Sequence, residues 1–76
     1  MEYTNSQIVA LIDEHIHSAR DRRIMKLHYV DGLSADMISR VDIGKDDVPE
    51  ETKIQIQPRQ ISRILSDKLL KIAPYM

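Results

Sequence analysis

Seventy-six residues with no cysteine, two glycines and a formal net charge of −1 predict one small domain. A disulfide scaffold and a thiolate zinc site are both excluded. A chain this short buries only about 60% of the surface it exposes when unfolded, so its helices must pack well or it must pair. Charged residues make up 30% of the sequence, which suits a folded domain rather than a disordered tail. The opening MEYTNSQIV has neither the basic region nor the apolar run of a signal peptide. No apolar stretch reaches the roughly 20 residues of a membrane span, so the expectation is a cytoplasmic protein with no membrane contact.

The first helix is predicted from about Asn5 to Ser18, because Ile8, Leu11, Ile12 and Ile16 fall on one helical face. Thr4 and Gln7 stand at capping-box spacing. A second helix is expected from Ala19 or Arg20 to Val30, capped by Ser18, with Asp21 in the first turn where a negative charge suits the helix dipole. The 18–21 junction has no Gly or Pro, so a single bent helix is the alternative. Asp31-Gly32 stops this segment, since glycine adopts the left-handed conformation of a C-cap without steric cost.

Ser34 then caps a short helix over Ala35 to Val41, which Ile43-Gly44 ends. Lys45 to Lys53 is polar, acidic and contains a proline, and reads as a loop. Ile54-Gln55-Ile56-Gln57 alternates apolar and polar residues, the pattern of a short extended segment. The last helix opens on Pro58, whose missing amide proton costs nothing at the first helical position. It carries Ile61, Ile64, Leu65, Leu69 and Ile72 on one face and closes at Ala73-Pro74. The predicted fold is all-α: a bundle of four or five helices in one domain over 1–76, with 42–57 inserted between the last two.

Charge is unevenly spread. Residues 20–31 carry Arg20, Arg22, Arg23 and Lys26 against Asp21 and Asp31. Residues 32–52 set Arg40 and Lys45 against six acids, a net −4, whereas 53–76 set Lys53, Arg59, Arg63, Lys68 and Lys71 against Asp67, a net +4. A basic helix on a near-neutral domain still makes a local electrostatic footprint. A short helix, a polar break and a longer helix with Arg and Gln in its first turns is the order used to read the major groove. Gln57, Arg59, Gln60, Ser62 and Arg63 have the chemistry to face base edges, with Ser66 on the same DNA-binding side and Lys68, Lys71 or the 20–26 cluster on phosphates. The competing reading is an ordinary solvated helix face.

The segment from Asp21 to Ile38, which includes Tyr29 and the turn Asp31-Gly32-Leu33-Ser34, resembles region four of bacterial sigma factors and their small bacterial and phage relatives. Pro58 to Leu65 is similar to that family's recognition helix. The resemblance covers roughly 8–43 and 57–72. It implies a helix-turn-helix regulator of transcription that binds double-stranded DNA, with 35–41 as scaffold helix and 58–72 as recognition helix. Docking on RNA polymerase or another regulator, with little DNA affinity, is the alternative it implies, and a homodimer is one arrangement open to either. The sequence departs from the family at 42–57, where a turn of a few residues is replaced by a segment holding Asp42, Asp46, Asp47, Glu50 and Glu51. Five acids beside a DNA surface repel phosphates unless the segment folds away.

Other chemistries find no support in the sequence. His15 and His17 point about 200° apart around a helix and do not chelate one ion, and His28 sits among apolar neighbours. The acidic segment lacks the ligand spacing of a calcium loop. There is no nucleophile elbow, Gly-rich phosphate loop or catalytic dyad, so neither an enzyme nor a cofactor is expected.

Overall fold

The computed structural model describes residues 3–76. It is all-helical, with α1 at Asn5–His15, α2 at Ala19–Tyr29, α3 at Ala35–Ser39 and α4 at Pro58–Ile72. Single 3-10 turns at Glu50–Thr52 and Ala73–Tyr75 complete it. No strand occurs among the described residues. The body measures 39 × 22 × 18 Å.

Local chemistry sets most of these boundaries. At the start of α1 the Thr4 amide donates to Gln7 Oε1 at 2.9 Å while the Gln7 amide donates to Thr4 Oγ1 at 3.2 Å, which satisfies two otherwise free donors. Ser18 Oγ and Ser34 Oγ accept the amides of Asp21 and Met37 at 3.4 and 3.3 Å, opening α2 and α3. Beyond α2, Gly32 adopts φ +75°. That turn lets the amides of Gly32 and Leu33 reach back to the carbonyls of His28 and Leu27.

The ends of α1 and α3 and the insert differ from the sequence expectation. α1 stops at His15 rather than Ser18, while α1 and α2 are separate helices as the two-helix reading expects. Ile16 takes an extended conformation (φ −104°, ψ 118°) while its amide still bonds Ile12, so the chain turns without glycine or proline. Ile16 is nonetheless fully buried, which explains why its apolar character prolongs the helical pattern. α3 ends at Ser39, because the amides of Arg40 and Val41 bond only three residues back and tighten into a turn. The segment 54–57 follows extended Lys53 and ends on extended Gln57, and no strand forms there. Within the insert, Glu50–Thr52 forms a 3-10 turn where the polar, acidic composition predicts loop.

One core serves all elements. Ile12, Ile16, Ile24, Met25, Ile38, Ile54, Ile61, Leu65 and Ile72 are buried together, with Ile8, Leu11, Leu27 and Tyr29 packed around them. Each fully buried aliphatic side chain contributes about 1.5–3 kcal/mol relative to exposure, before conformational entropy is charged against it. α4 packs its apolar stripe on α1, α2 and α3 at once. Its opposite face is therefore fixed outward.

Candidate nucleic-acid interface

α4, at 15 residues the longest helix described, presents a long polar surface. Ile61, Leu65 and Ile72 hold one side of it in the core, and helical periodicity then sets Arg59, Arg63, Ser66 and Leu70 in a line on the other. Gln57, Arg59, Gln60, Ser62, Arg63, Ser66 and Lys71 are all exposed. Among the described residues, neither Arg59 nor Arg63 nor Lys71 makes an ion pair.

Two of the sequence candidates are engaged differently from expectation. Gln60 Oε1 accepts the Gln57 amide at 3.3 Å, so this carboxamide caps the helix. Bidentate pairing with adenine needs that oxygen as well as the NH2 group, so Gln60 meets a base in that way only by giving up its cap. Lys68 is half-buried and directs Nζ inward to Asp21 Oδ2 at 3.6 Å, and this charge is committed inside the molecule. The exposed candidates that remain are Gln57 at the N-cap and Arg59, Ser62, Arg63, Ser66 and Lys71 on α4, with Asp67 exposed beside them.

The basic cluster of α2 has a different fate. Arg20 Nε lies 3.4 Å from Asp21 Oδ1, Arg22 donates to the Ile16 carbonyl at 3.4 Å, and Lys26 Nζ meets Asp13 Oδ1 at 2.7 Å. Arg23 is spent most completely. Its two terminal nitrogens donate to the two carboxylate oxygens of Asp42 at 2.7 Å each, and one of them also donates to the Thr52 carbonyl at 3.2 Å. Asp42 in turn accepts the Ile54 amide at 2.7 Å. Asp42 is only 4% exposed, and the Arg23 hydrogen bonds hold its carboxyl below the usual carboxylate range against the opposing effect of burial.

This clamp answers the question the acidic segment raises. Asp42, one of its five acids, is neutralised in the interior. The pair also ties both ends of the insert to α2: Asp42 at the start, and Thr52 and Ile54 near the finish. The 3-10 turn Glu50–Thr52 packs against α2. Asp46, Asp47, Glu50 and Glu51 stay exposed, and the α4 face stays open. Sequence reasoning assigned Arg23 to phosphates and missed the clamp, because its partners stand 19 and 29 residues away and carry no local signal. The alternation of Ile54 and Ile56 was the one hint, since it marks a segment with a side to bury.

The histidines are also placed. His15 stacks on Tyr75 with ring centroids 3.9 Å apart, and His28 Nδ1 lies 2.8 Å from the Leu33 carbonyl, locking the α2–α3 turn. Among the described residues, no three His, Asp or Glu side chains converge as metal ligands, and no helix is long and apolar enough to cross a membrane. No family model, curated protein or solved structure matches this chain.

Proposed function

We propose that this chain is a DNA-binding domain of helix-turn-helix type that lays α4 in the major groove, with Arg59 and Arg63 as its principal base-reading residues. The observation that carries the reading is the contrast in how cations are used. Every basic residue of α2 has a partner within the chain, whereas Arg59 and Arg63 extend from the first two turns of a rigidly packed helix with no partner among the described residues. A planar guanidinium donates two parallel bonds to guanine O6 and N7, and the groove admits one helix at its N-terminal end. Lys71, two turns further on, suits a phosphate, and Ser62 and Ser66 flank the arginines with small hydroxyl groups.

The resemblance of Asp21–Ile38 and Pro58–Leu65 to sigma region four supports the same reading and suggests a role in bacterial or phage transcription. The near-neutral net charge is compatible with it, because affinity depends on local rather than total charge.

The test is a mobility-shift titration on a mixed-sequence duplex in low salt, comparing wild type with Arg59→Ala/Arg63→Ala. Wild type should bind, and the double variant should lose at least about tenfold in affinity, since it removes two cations from the duplex-facing helix and sequence-independent affinity comes from such charges. Circular dichroism should show unchanged helicity, because neither side chain is packed. A wild-type chain that shifts no duplex refutes the reading.

A further inference from the structure

The outward face of α4 is an unpartnered helix face whose charge has a complement on the same molecule. Arg59, Arg63 and Lys71 are exposed on it, and Leu70, 73% exposed, continues the Arg59–Arg63–Ser66 line. The insert presents the opposite set: Asp46, Asp47, Glu50 and Glu51 are exposed, with Ile43 74% exposed beside them in sequence. Among the described residues, none of these seven charged side chains makes an ion pair.

Within one chain, among the described residues, no ion pair joins the two patches. The Arg23–Asp42 pair and the 3-10 turn fasten the insert to α2, while α4 turns its inward face to α1, α2 and α3. Complementary charge left unpaired within the chain is available to another molecule of the same kind. Leu70 on the α4 face and Ile43, next to the acids in sequence, are large exposed aliphatic side chains that such a contact would dehydrate.

We infer that a second copy of this chain seats its acidic insert on the outward face of α4, so that self-association and duplex binding compete for Arg59 and Arg63. The competition rests on the DNA-binding reading; the self-association does not. Exposed ion pairs are individually weak and screened by salt, so the assembly is a dissociable one. A duplex, with one negative charge per roughly 1.7 Å of axis, displaces it.

Sedimentation velocity on the full chain at high micromolar concentration tests this. In about 0.01 M salt the mean mass should rise above the monomer, and in about 1 M salt, where the screening length is about 3 Å, it should return to the monomer. Asp46→Lys/Asp47→Lys/Glu50→Lys and Arg59→Glu/Arg63→Glu should each stay monomeric in low salt. An equimolar mixture of the two variants should associate again, because the reversed insert of one now matches the reversed helix of the other. Circular dichroism on each variant alone checks that it is folded, and every substituted side chain is exposed. A wild type that is monomeric in low salt overturns the inference. So does association that persists in either variant or in high salt, and so does a mixture of two folded variants that stays monomeric. Adding duplex to wild type in low salt should dissolve the assembly. If no duplex binds while the charge swap restores association, the DNA reading fails and the self-association stands.

Discussion

Two clusters of basic residues lie in this small chain, and they do opposite work. On α2, Arg20, Arg22, Arg23 and Lys26 all point to acceptors within the molecule, and one of them holds a carboxylate that is almost wholly removed from water. On α4, Arg59, Arg63 and Lys71 meet nothing among the described residues, and only Lys68 is drawn inward, to Asp21. Sequence charge alone treats both clusters as candidates for phosphate. The difference teaches that a cation is available to a partner only after internal carboxylates and carbonyls have taken their share. Here the inserted segment takes Arg23; Asp21, the Ile16 carbonyl and Asp13 take the other three cations of α2; and among the described residues Arg59, Arg63 and Lys71 are left without an ion pair.

The comparison breaks most visibly at Arg23. Arg23→Ala strands Asp42 in the interior without its counter-charge and frees the Thr52 carbonyl, and should cost about 3–5 kcal/mol in urea denaturation. That is most of the stability a domain of this size possesses. Replacing both partners, as Arg23→Met/Asp42→Leu, should cost clearly less than the two single changes added together. A loss below about 1 kcal/mol for Arg23→Ala would mean that the insert is held by Ile54 rather than by the ion pair.

Acid sharpens the same point. The folded carboxyl of Asp42 is depressed chiefly by the Arg23 hydrogen bonds, with the Ile54 amide adding to the effect. A group depressed in the folded state contributes stability that is complete above its unfolded value, about 3.9, and is lost as pH falls through the folded one. The gap in unfolding free energy between wild type and Asp42→Asn should therefore be widest at neutral pH. It should narrow below about pH 4 as protonation of wild-type Asp42 removes the charge that Asn lacks throughout. A gap that stays constant into that range would separate the carboxylate from the clamp.

The smallest effects belong to the exposed pairs. Lys26 and Asp13 sit 2.7 Å apart but remain largely in water, and Lys26→Ala should cost about 0.5 kcal/mol, a difference that salt removes. Arg59→Ala or Arg63→Ala should change stability by no more than about 0.5 kcal/mol, which keeps their effect on duplex binding interpretable.

The helical architecture was legible because its signals are local. Thr4 with Gln7, Ser18, Ser34, Gly32 and Pro58 mark their boundaries through bonds spanning a few residues, and the apolar stripe of α4 sets its bounds at Pro58 and Ile72 as expected. The end of α1 was not legible, since Ile16 satisfies the core from an extended position as well as it would from a helical one. The outward face of α4 could be read from periodicity, but the capping role of Gln60 and the inward reach of Lys68 could not. Each depends on whether a nearer partner lies within reach. The insert was the least readable part, because the charge that matters most in it, Asp42, is matched across the fold rather than along the chain.

Binding through the guanidinium groups of α4 would make duplex affinity depend on salt. The most direct measurement is the dependence of duplex affinity on salt for wild type and for Arg59→Ala/Arg63→Ala. Log affinity falls with log salt by about 0.9 for each phosphate neutralised. Wild type should show a clear negative slope, and the double variant should bind more weakly at every salt concentration. Its curve should run parallel if both arginines read bases and flatten by about 2 if both hold phosphates. A wild-type chain whose duplex affinity is absent in low salt, or whose affinity and slope survive the double substitution unchanged, would contradict the account.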